Sequence, residues 1–537
     1  MGRHAAWLLL GLALFSHLPA LQGAEFHYDD GHSLVRNPHI RDLANLPRFF
    51  LDPSMFSENP SDAMYRPVVL VAHAVSQSLF PDSPAGFLAL NLALHALATL
   101  LLYHILCCLL AKGRSLFGAS LFALHPLQTE VVNYASARSE SLAAVGILLV
   151  VFAFLRYRDS GSNIWLAALA GGQLFALGAK ETGVVAPLLL LLIDRLMPGN
   201  RARTTRRAQL ISTGLVAVYL LVYASFRTYS TGPGLRSSTA QLATQTKALL
   251  HYLRGIAVPV DLSVTPQFTE SQSLLDAVVI LAGAAIASGV LLLWQNRRRH
   301  PQLAVAAGWW LICLLPTLIV PLNVLVNDHR PYLAMGGMAM AAGVIGPRRL
   351  PGAGFLSGLV ALILISLCWQ RAFAWQTEIT LWQNAVREGP SVAVAHHNLA
   401  FAYHQGGQMS LAQSHYEQAI ALKPDYARPL TNLGALYRDA GRLDEAEAVL
   451  LRATRSEPGS VETLNNLGLV YAAQGRFDQA VRAYQAALQA DAGISEVWYN
   501  LGLAQRDAGQ TEDARRSLQR ALQLDPGIHK RLGPSHR

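Results

Sequence analysis

Asp29 and Asp30 stand side by side in Phe26-His27-Tyr28-Asp29-Asp30, a few residues beyond an apolar run that ends near Leu21. A carboxylate pair at a membrane surface can take a proton as a general base or ligate a divalent cation. Adjacent residues do not share a helix face, so one of the two is expected to act and the other to support it. The plain alternative is a solvated loop or a helix cap. Three further polar groups interrupt apolar sequence: His125-Pro126-Leu127-Gln128-Thr129-Glu130 with Arg138-Ser139-Glu140 after it, Lys180-Glu181-Thr182-Gly183, and Asn327-Asp328-His329-Arg330-Pro331-Tyr332. Ionisable residues at membrane depth are functional candidates by default. Arg138 suits a phosphate, which a guanidinium grips with two parallel hydrogen bonds. The competing reading is mutual pairing, Lys180 with Glu181 and Glu130 with Arg138.

Such residues need a frame. Of 537 residues, 52% are hydrophobic and only 14% charged, against about 25% charged in soluble proteins. About 20 apolar residues cross a bilayer as helix. Runs near 5–22, 85–111, 115–130, 139–155, 162–179, 183–197, 208–229, 276–295, 302–321, 332–347 and 354–371 qualify as spans. The 65–80 stretch reads as a helix at the outer interface, and 245–260 is ambiguous in the same way. Arg3, Lys112/Arg114, Arg156/Arg158, the cluster Arg195 to Arg207, Arg297–Arg299 and Arg348/Arg349 fall at alternate connections, which marks those as cytoplasmic. The polar groups then lie outside, and about eleven spans starting inside leave the C-terminal region outside too. The net charge of +9 is explained by these loops and by anionic lipid; no basic stripe points to nucleic acid. Cys107, Cys108, Cys313 and Cys368 sit in apolar runs without metal-ligand or disulfide spacing.

After Trp375 a 34-residue repeat begins. Leu399, Leu433, Leu467 and Leu501 are in register, each followed by Ala400, Gly434, Gly468 or Gly502. Tyr403, Tyr437 and Tyr471 share a position that Gln505 takes in the last copy, where a solvated cap is expected. Ala412, Ala446, Ala480 and Ala514 mark the second helix. Each copy buries its face only against neighbours, so the array forms a superhelix with a groove. Asn398, Asn432, Asn466 and Asn500 recur at one position, either lining that groove for an extended peptide or serving the fold. The expected layout is 1–375 as a membrane domain, 376–392 as a linker helix and 393–530 as four repeats.

The order FxYDD, YRP, NLALH, HPLQTEVVNYASARSESLA, KETG and RPYL, then tetratricopeptide repeats, resembles the transmembrane and tetratricopeptide repeat-containing O-mannosyltransferases. More broadly it is similar to the GT-C glycosyltransferases. The resemblance implies an all-α chain, a polytopic GT-C-like body followed by an α-solenoid. It implies a polyprenyl-phosphate-linked sugar, often mannose, and transfer to Ser or Thr of a protein in the periplasm or the lumen of the endoplasmic reticulum. Asp29 or Asp30 matches the carboxylate that deprotonates the acceptor. Arg138, Lys180 and Arg330 match positions for the donor phosphate. His125, Glu130, Glu140 and Glu181 match motif positions without an assigned role. The string DHRPYLAMGG departs from the family's R-x-YLPS pattern around Arg330. A divalent cation is compatible with the acidic pair, although no residue is assigned as its ligand. The alternatives are the same fold acting on a lipid or cell-envelope glycan, and a scaffold that recruits partners through its repeats.

Overall fold

The computed structural model of the chain describes residues 2–59, 62–197, 202–226, 236–346 and 353–531; Arg201, Arg348 and Arg349 of the basic pattern lie outside them. Every regular element among the described residues is helical. Two compact units form, Met1–Leu381 and Trp382–Arg537.

The first unit opens with α1 (Gly2–His17), a loop of short 3-10 turns with one π turn at Gly31–Val35, α2 (Pro67–Leu79) and α3 (Pro84–Leu109). Ser83 caps α3 by accepting the Gly86 N–H at 3.3 Å, and Pro84 occupies the first turn, where no N–H is needed. Next come α4 (Lys112–Leu124), α5 (Thr129–Asn133) and α6 (Arg138–Ser160), which Gly161 ends in the left-handed region at φ 72°. Then follow α7 (Asn163–Ala179), α8 (Ala186–Leu196), α9 (Ala202–Phe226), α10 (Ser238–Ala257), α11 (Ala277–Gln295), α12 (Pro301–Ile319), α13 (Met335–Ile345) and α14 (Ala353–Ala374). The boundary between units falls within α15 (Glu378–Glu388).

Among the described residues seven helices are long and apolar enough to cross a membrane, and the chain is a multi-pass membrane protein. Leu221, Leu281 and Phe355 on three of them are 74, 69 and 80% exposed, as lipid-facing side chains would be. Four of the eleven expected spans are shorter: α4 has 13 residues, α7 has 17, and α8 and α13 have 11 each. The reason is local. α4 stops at His125, α7 stops at Lys180, α8 begins after the turn at Glu181, and α13 begins after Arg330–Tyr332. Irregular backbone at membrane depth is tolerated only where protein covers it, and residues 122–135 are buried without a break. The 65–80 stretch is α2, packed on α3, α6 and α7 with Val69, Leu70 and His73 buried. α10, over the ambiguous 245–260 stretch, is not among the membrane-crossing helices. Small residues bring helices close: a Cβ on Gly118 of α4 would stand 2.3 Å from the Ala339 carbonyl oxygen of α13.

In the second unit the repeats are helix pairs: α16 (Ala393–Gln405) with α17 (Met409–Leu422), α18 (Ala427–Asp439) with α19 (Leu443–Ser456), α20 (Val461–Ala473) with α21 (Phe477–Ala490), and α22 (Ser495–Asp507) with α23 (Thr511–Leu524). A short α24 (Ile528–Arg531) follows. Each pair turns at a left-handed glycine, Gly407, Gly441, Gly475 or Gly509. The small residue of each first helix admits the partner helix: a Cβ on Gly468 would meet Tyr484 at 2.5 Å. Gly468→Ala is therefore expected to destabilise the unit by about 1–3 kcal/mol through overpacking, read as a lower Tm, while Gly459→Ala, in open space, should cost less. Gln505 corrects one expectation. It is buried rather than solvated, and its Oε1 accepts the Ser517 hydroxyl at 2.7 Å.

Candidate active site

The loop after α1 presents the two aspartates differently. Asp30 is buried, with Oδ1 accepting the Ser136 N–H at 2.8 Å and its hydroxyl at 2.5 Å, and Oδ2 accepting the His27 N–H at 3.0 Å. Asp29 is half exposed; its own N–H donates to the Tyr134 hydroxyl oxygen at 3.2 Å, and its carboxylate lies 3.8 Å from His32 Nε2. Burial raises both carboxyls above their ordinary range, Asp30 to about 6, against the Ser136 and His27 hydrogen bonds. Tyr28, just before the pair, has φ +48°, a left-handed conformation that bulky L-residues avoid.

The other polar groups converge. His329 Nδ1 lies 2.7 Å from Glu130 Oε1, and its Nε2 lies 3.9 Å from Glu140 Oε1. Lys180 pairs with Glu140. Glu140, Lys180, Arg330 and Asp29 lie near enough for their charges to act on His329. Burial lowers His329 and raises Glu130, the latter against Arg371 and Arg330. Arg371, in the last turn of α14, reaches within 3.9 Å of Glu130 and 4.0 Å of Asp328. Asp328 also accepts the Ser263 N–H at 3.0 Å. Among the described residues no three His, Cys, Asp or Glu side chains gather as a cation cage.

Several expected residues sit elsewhere or do other work. Arg138 is completely buried, with its donors committed to Asn91, Ala72, Ser76 and Phe87. Neither expected ion pair forms: Glu181 takes Arg66 in a fork at 3.0–3.3 Å, and Glu130 takes His329. His125 caps its own turn, accepting the Leu127 N–H at Nδ1 and donating from Nε2 to the Ile256 carbonyl at 2.9 Å. Arg330 donates to the carbonyls of Leu325 and Val324, bracing its loop. In the repeats Asn466 accepts from Arg438 at 2.8 Å and Asn500 donates to Asn465 at 3.0 Å. Both bonds join successive first helices. Asn398 and Asn432 are partly buried. Arg371 and Arg66 were not among the expected site residues, and Asp328 and His329 stood in an expected polar group without a role of their own. A lone arginine in an apolar span, as in Leu367-Cys368-Trp369-Gln370-Arg371, is the signal that marks the first of them.

Tetratricopeptide repeat models match residues 403–467 and 465–527. The Caenorhabditis elegans protein O-mannosyl-transferase F38B6.6 is 25% identical over 452 residues, covering 78% of this chain and 63% of its own length. Over most of its length the chain is thus similar to a protein O-mannosyl-transferase. The human protein O-mannosyl-transferase TMTC1 is 31% identical over 222 residues, 40% of this chain and 23% of its own. The chain thus spans less than two thirds of either relative's length in these matches. Among solved structures, that of MamA protein overlaps 28% of this chain and 83% of its own at 22% identity, with a TM-score of 0.26.

Proposed function

We propose that this chain is a membrane glycosyltransferase that moves a sugar, mannose by analogy with its relatives' names, from a polyprenyl-phosphate donor to a Ser or Thr hydroxyl of a protein. The observation that carries the reading is the exposed carboxylate of Asp29, in a turn braced on both sides, near the Lys180–Glu140–His329 charge cluster. Asp29 takes the proton of the acceptor hydroxyl as its oxygen attacks the anomeric carbon. The bond from that carbon to the phosphate oxygen breaks, and its electron pair leaves on polyprenyl phosphate, with inversion. Lys180, drawn from Glu140, stabilises the departing phosphate, with Arg330 adding its charge from the loop it braces. Arg138, Glu130, Glu181 and His125 hold the frame.

The orientation rests on charge. In α4, α6 and α7 the end that carries the motif is opposite the end beside Lys112/Arg114 or Arg156/Arg158. Basic ends face the cytoplasm, so the motif ends face the periplasm or lumen, and the repeats hold the acceptor protein on that side. The test is purified chain in detergent with polyprenyl-phosphate-mannose and a Ser/Thr-rich protein extract, read by mass spectrometry. Hexose on Ser or Thr that disappears with Asp29→Asn is the expected result. Folded chain that transfers no hexose to protein from this or other hexosyl donors would overturn the reading.

A further inference from the structure

The turn that carries Asp29 is not held by its neighbours in sequence alone. Glu378, the first residue of α15, directs one oxygen at two groups of the turn: Oε1 accepts from His27 Nδ1 at 2.9 Å and from the Tyr28 N–H at 3.3 Å. His27 Nε2 donates to the Trp375 carbonyl at 2.6 Å. Both ring nitrogens of a buried histidine thus face acceptors only, a carboxylate and a carbonyl, which is the arrangement of an imidazolium. The Glu378 N–H in turn donates to Glu25 Oε2 at 3.1 Å. The left-handed Tyr28 lies inside this clasp, and Asp29 follows it directly. A strained residue persists only where its surroundings over-determine it. Here the surroundings are Asp30 on one side and Glu378 on the other.

We infer that Glu378, with His27, is a positioning residue for the catalytic carboxylate: it clamps the Tyr28 turn and so fixes where Asp29 meets the acceptor hydroxyl. This rests on the transferase reading of Asp29 for its catalytic consequence, but the clamp itself is independent of it. Burial works against a charged His27, yet the Glu378 bond and charge, then Asp30, outweigh it and hold the ring above its ordinary value. Glu378 and Asp30 are the carboxylates acting on it, and the Trp375 ring stands edge-on at 5.7 Å. The charged ring is therefore fully present below the ordinary imidazole value of about 6.5, and is lost as pH rises through the raised value.

The experiment compares wild type, Glu378→Ala and Glu378→Gln in detergent by amide exchange of the peptide that spans residues 25–36, alongside kcat, KM and the pH profile. Glu378→Ala should raise exchange at this peptide at least tenfold. It should also lower kcat about 10- to 100-fold, the scale of a small misplacement, with donor KM within threefold. Glu378→Gln keeps an acceptor oxygen but no charge, so it should recover most of kcat near pH 6 and move the alkaline limb to lower pH. Unchanged exchange in Glu378→Ala would overturn the clamp whatever the activity. Altered exchange in a chain that transfers no sugar would sink the transferase reading and leave the clamp standing. Should Glu378→Ala not fold, Glu378→Gln decides the matter by its pH-dependent exchange: a profile identical to wild type overturns the clamp.

Discussion

Asp29→Asn is expected to abolish most hexose transfer while leaving the chain folded. A positioned general base contributes about 10²- to 10⁴-fold, so kcat should fall by that factor with donor KM little changed. The side chain is half exposed and its carboxylate lies 3.8 Å from His32 Nε2, so an amide of the same shape disturbs the fold far less than a change at buried Asp30. Asp30→Asn should behave otherwise. Its two oxygens accept three hydrogen bonds in a buried site. An amide there turns N–H groups toward a donor, at a cost of about 1–3 kcal/mol. Loss of folded protein with Asp30→Asn, and loss of rate alone with Asp29→Asn, is the expected pair of results. The pH profile of the wild type supports the same split. Asp29 must be ionised to act, and burial holds its carboxyl above the ordinary range. Activity is accordingly lost on acidification at a pH above the usual carboxylate value of about 3.9. Asp30 contributes a separate slope to stability. Its folded value of about 6 exceeds the unfolded one, so its contribution is fully present below about pH 4 and is lost as pH rises through 6. Asp30→Asn should remove that slope. Equal rate loss with equal stability in the two variants would contradict the division of roles.

The repeats were the most legible part of the chain because their information is local and redundant. A 34-residue period fixes the positions of Leu467, Gly468 and Tyr484 before any contact is known, and the close packing of Gly468 on Tyr484 follows. Gln505 was misread because a polar residue at a core position looks solvated until its partner, Ser517, is seen. In the membrane unit hydropathy located the apolar runs but not their ends. α4, α7, α8 and α13 are cut short by polar turns, and window averages run over such turns. The polar motifs were visible as interruptions, whereas their pairings were not. Lys180 sits next to Glu181 in sequence, yet it meets Glu140, and Glu181 meets Arg66. Charges paired across helices are set by packing, on which sequence spacing is silent. Glu378 lies about 350 residues from the turn it holds and carries no motif, so nothing local could reveal it.

Arg138→Ala is expected to unfold much of the protein rather than weaken donor binding. The guanidinium ties three helices. Nε donates to Asn91 of α3 at 2.8 Å, Nη1 to the Ala72 carbonyl at 3.1 Å and the Ser76 hydroxyl at 2.9 Å in α2, and Nη2 to the Phe87 carbonyl at 2.8 Å. Its carbon stands 5.1 Å from the centre of the Phe87 ring. Asn91 carries the tie onward, donating to the carbonyls of Val131, Val132 and Tyr134. Those carbonyls belong to the segment that leads to Ser136, which holds Asp30. Truncation leaves a cavity and buried polar groups without partners, a loss of about 3–5 kcal/mol. Lysine does not restore it, because a compact ammonium cannot serve four acceptors on two helices at once. The measurement is thermal unfolding in detergent beside donor KM. A large drop in Tm with KM within threefold of wild type in the folded fraction is the expected outcome. A normal Tm with a raised KM would instead return Arg138 to the phosphate. The double variant with Asn91→Ala sharpens the distinction. Two residues of one network should lose less together than the sum of their separate losses, by about 1–2 kcal/mol, whereas a phosphate ligand and a structural amide should add.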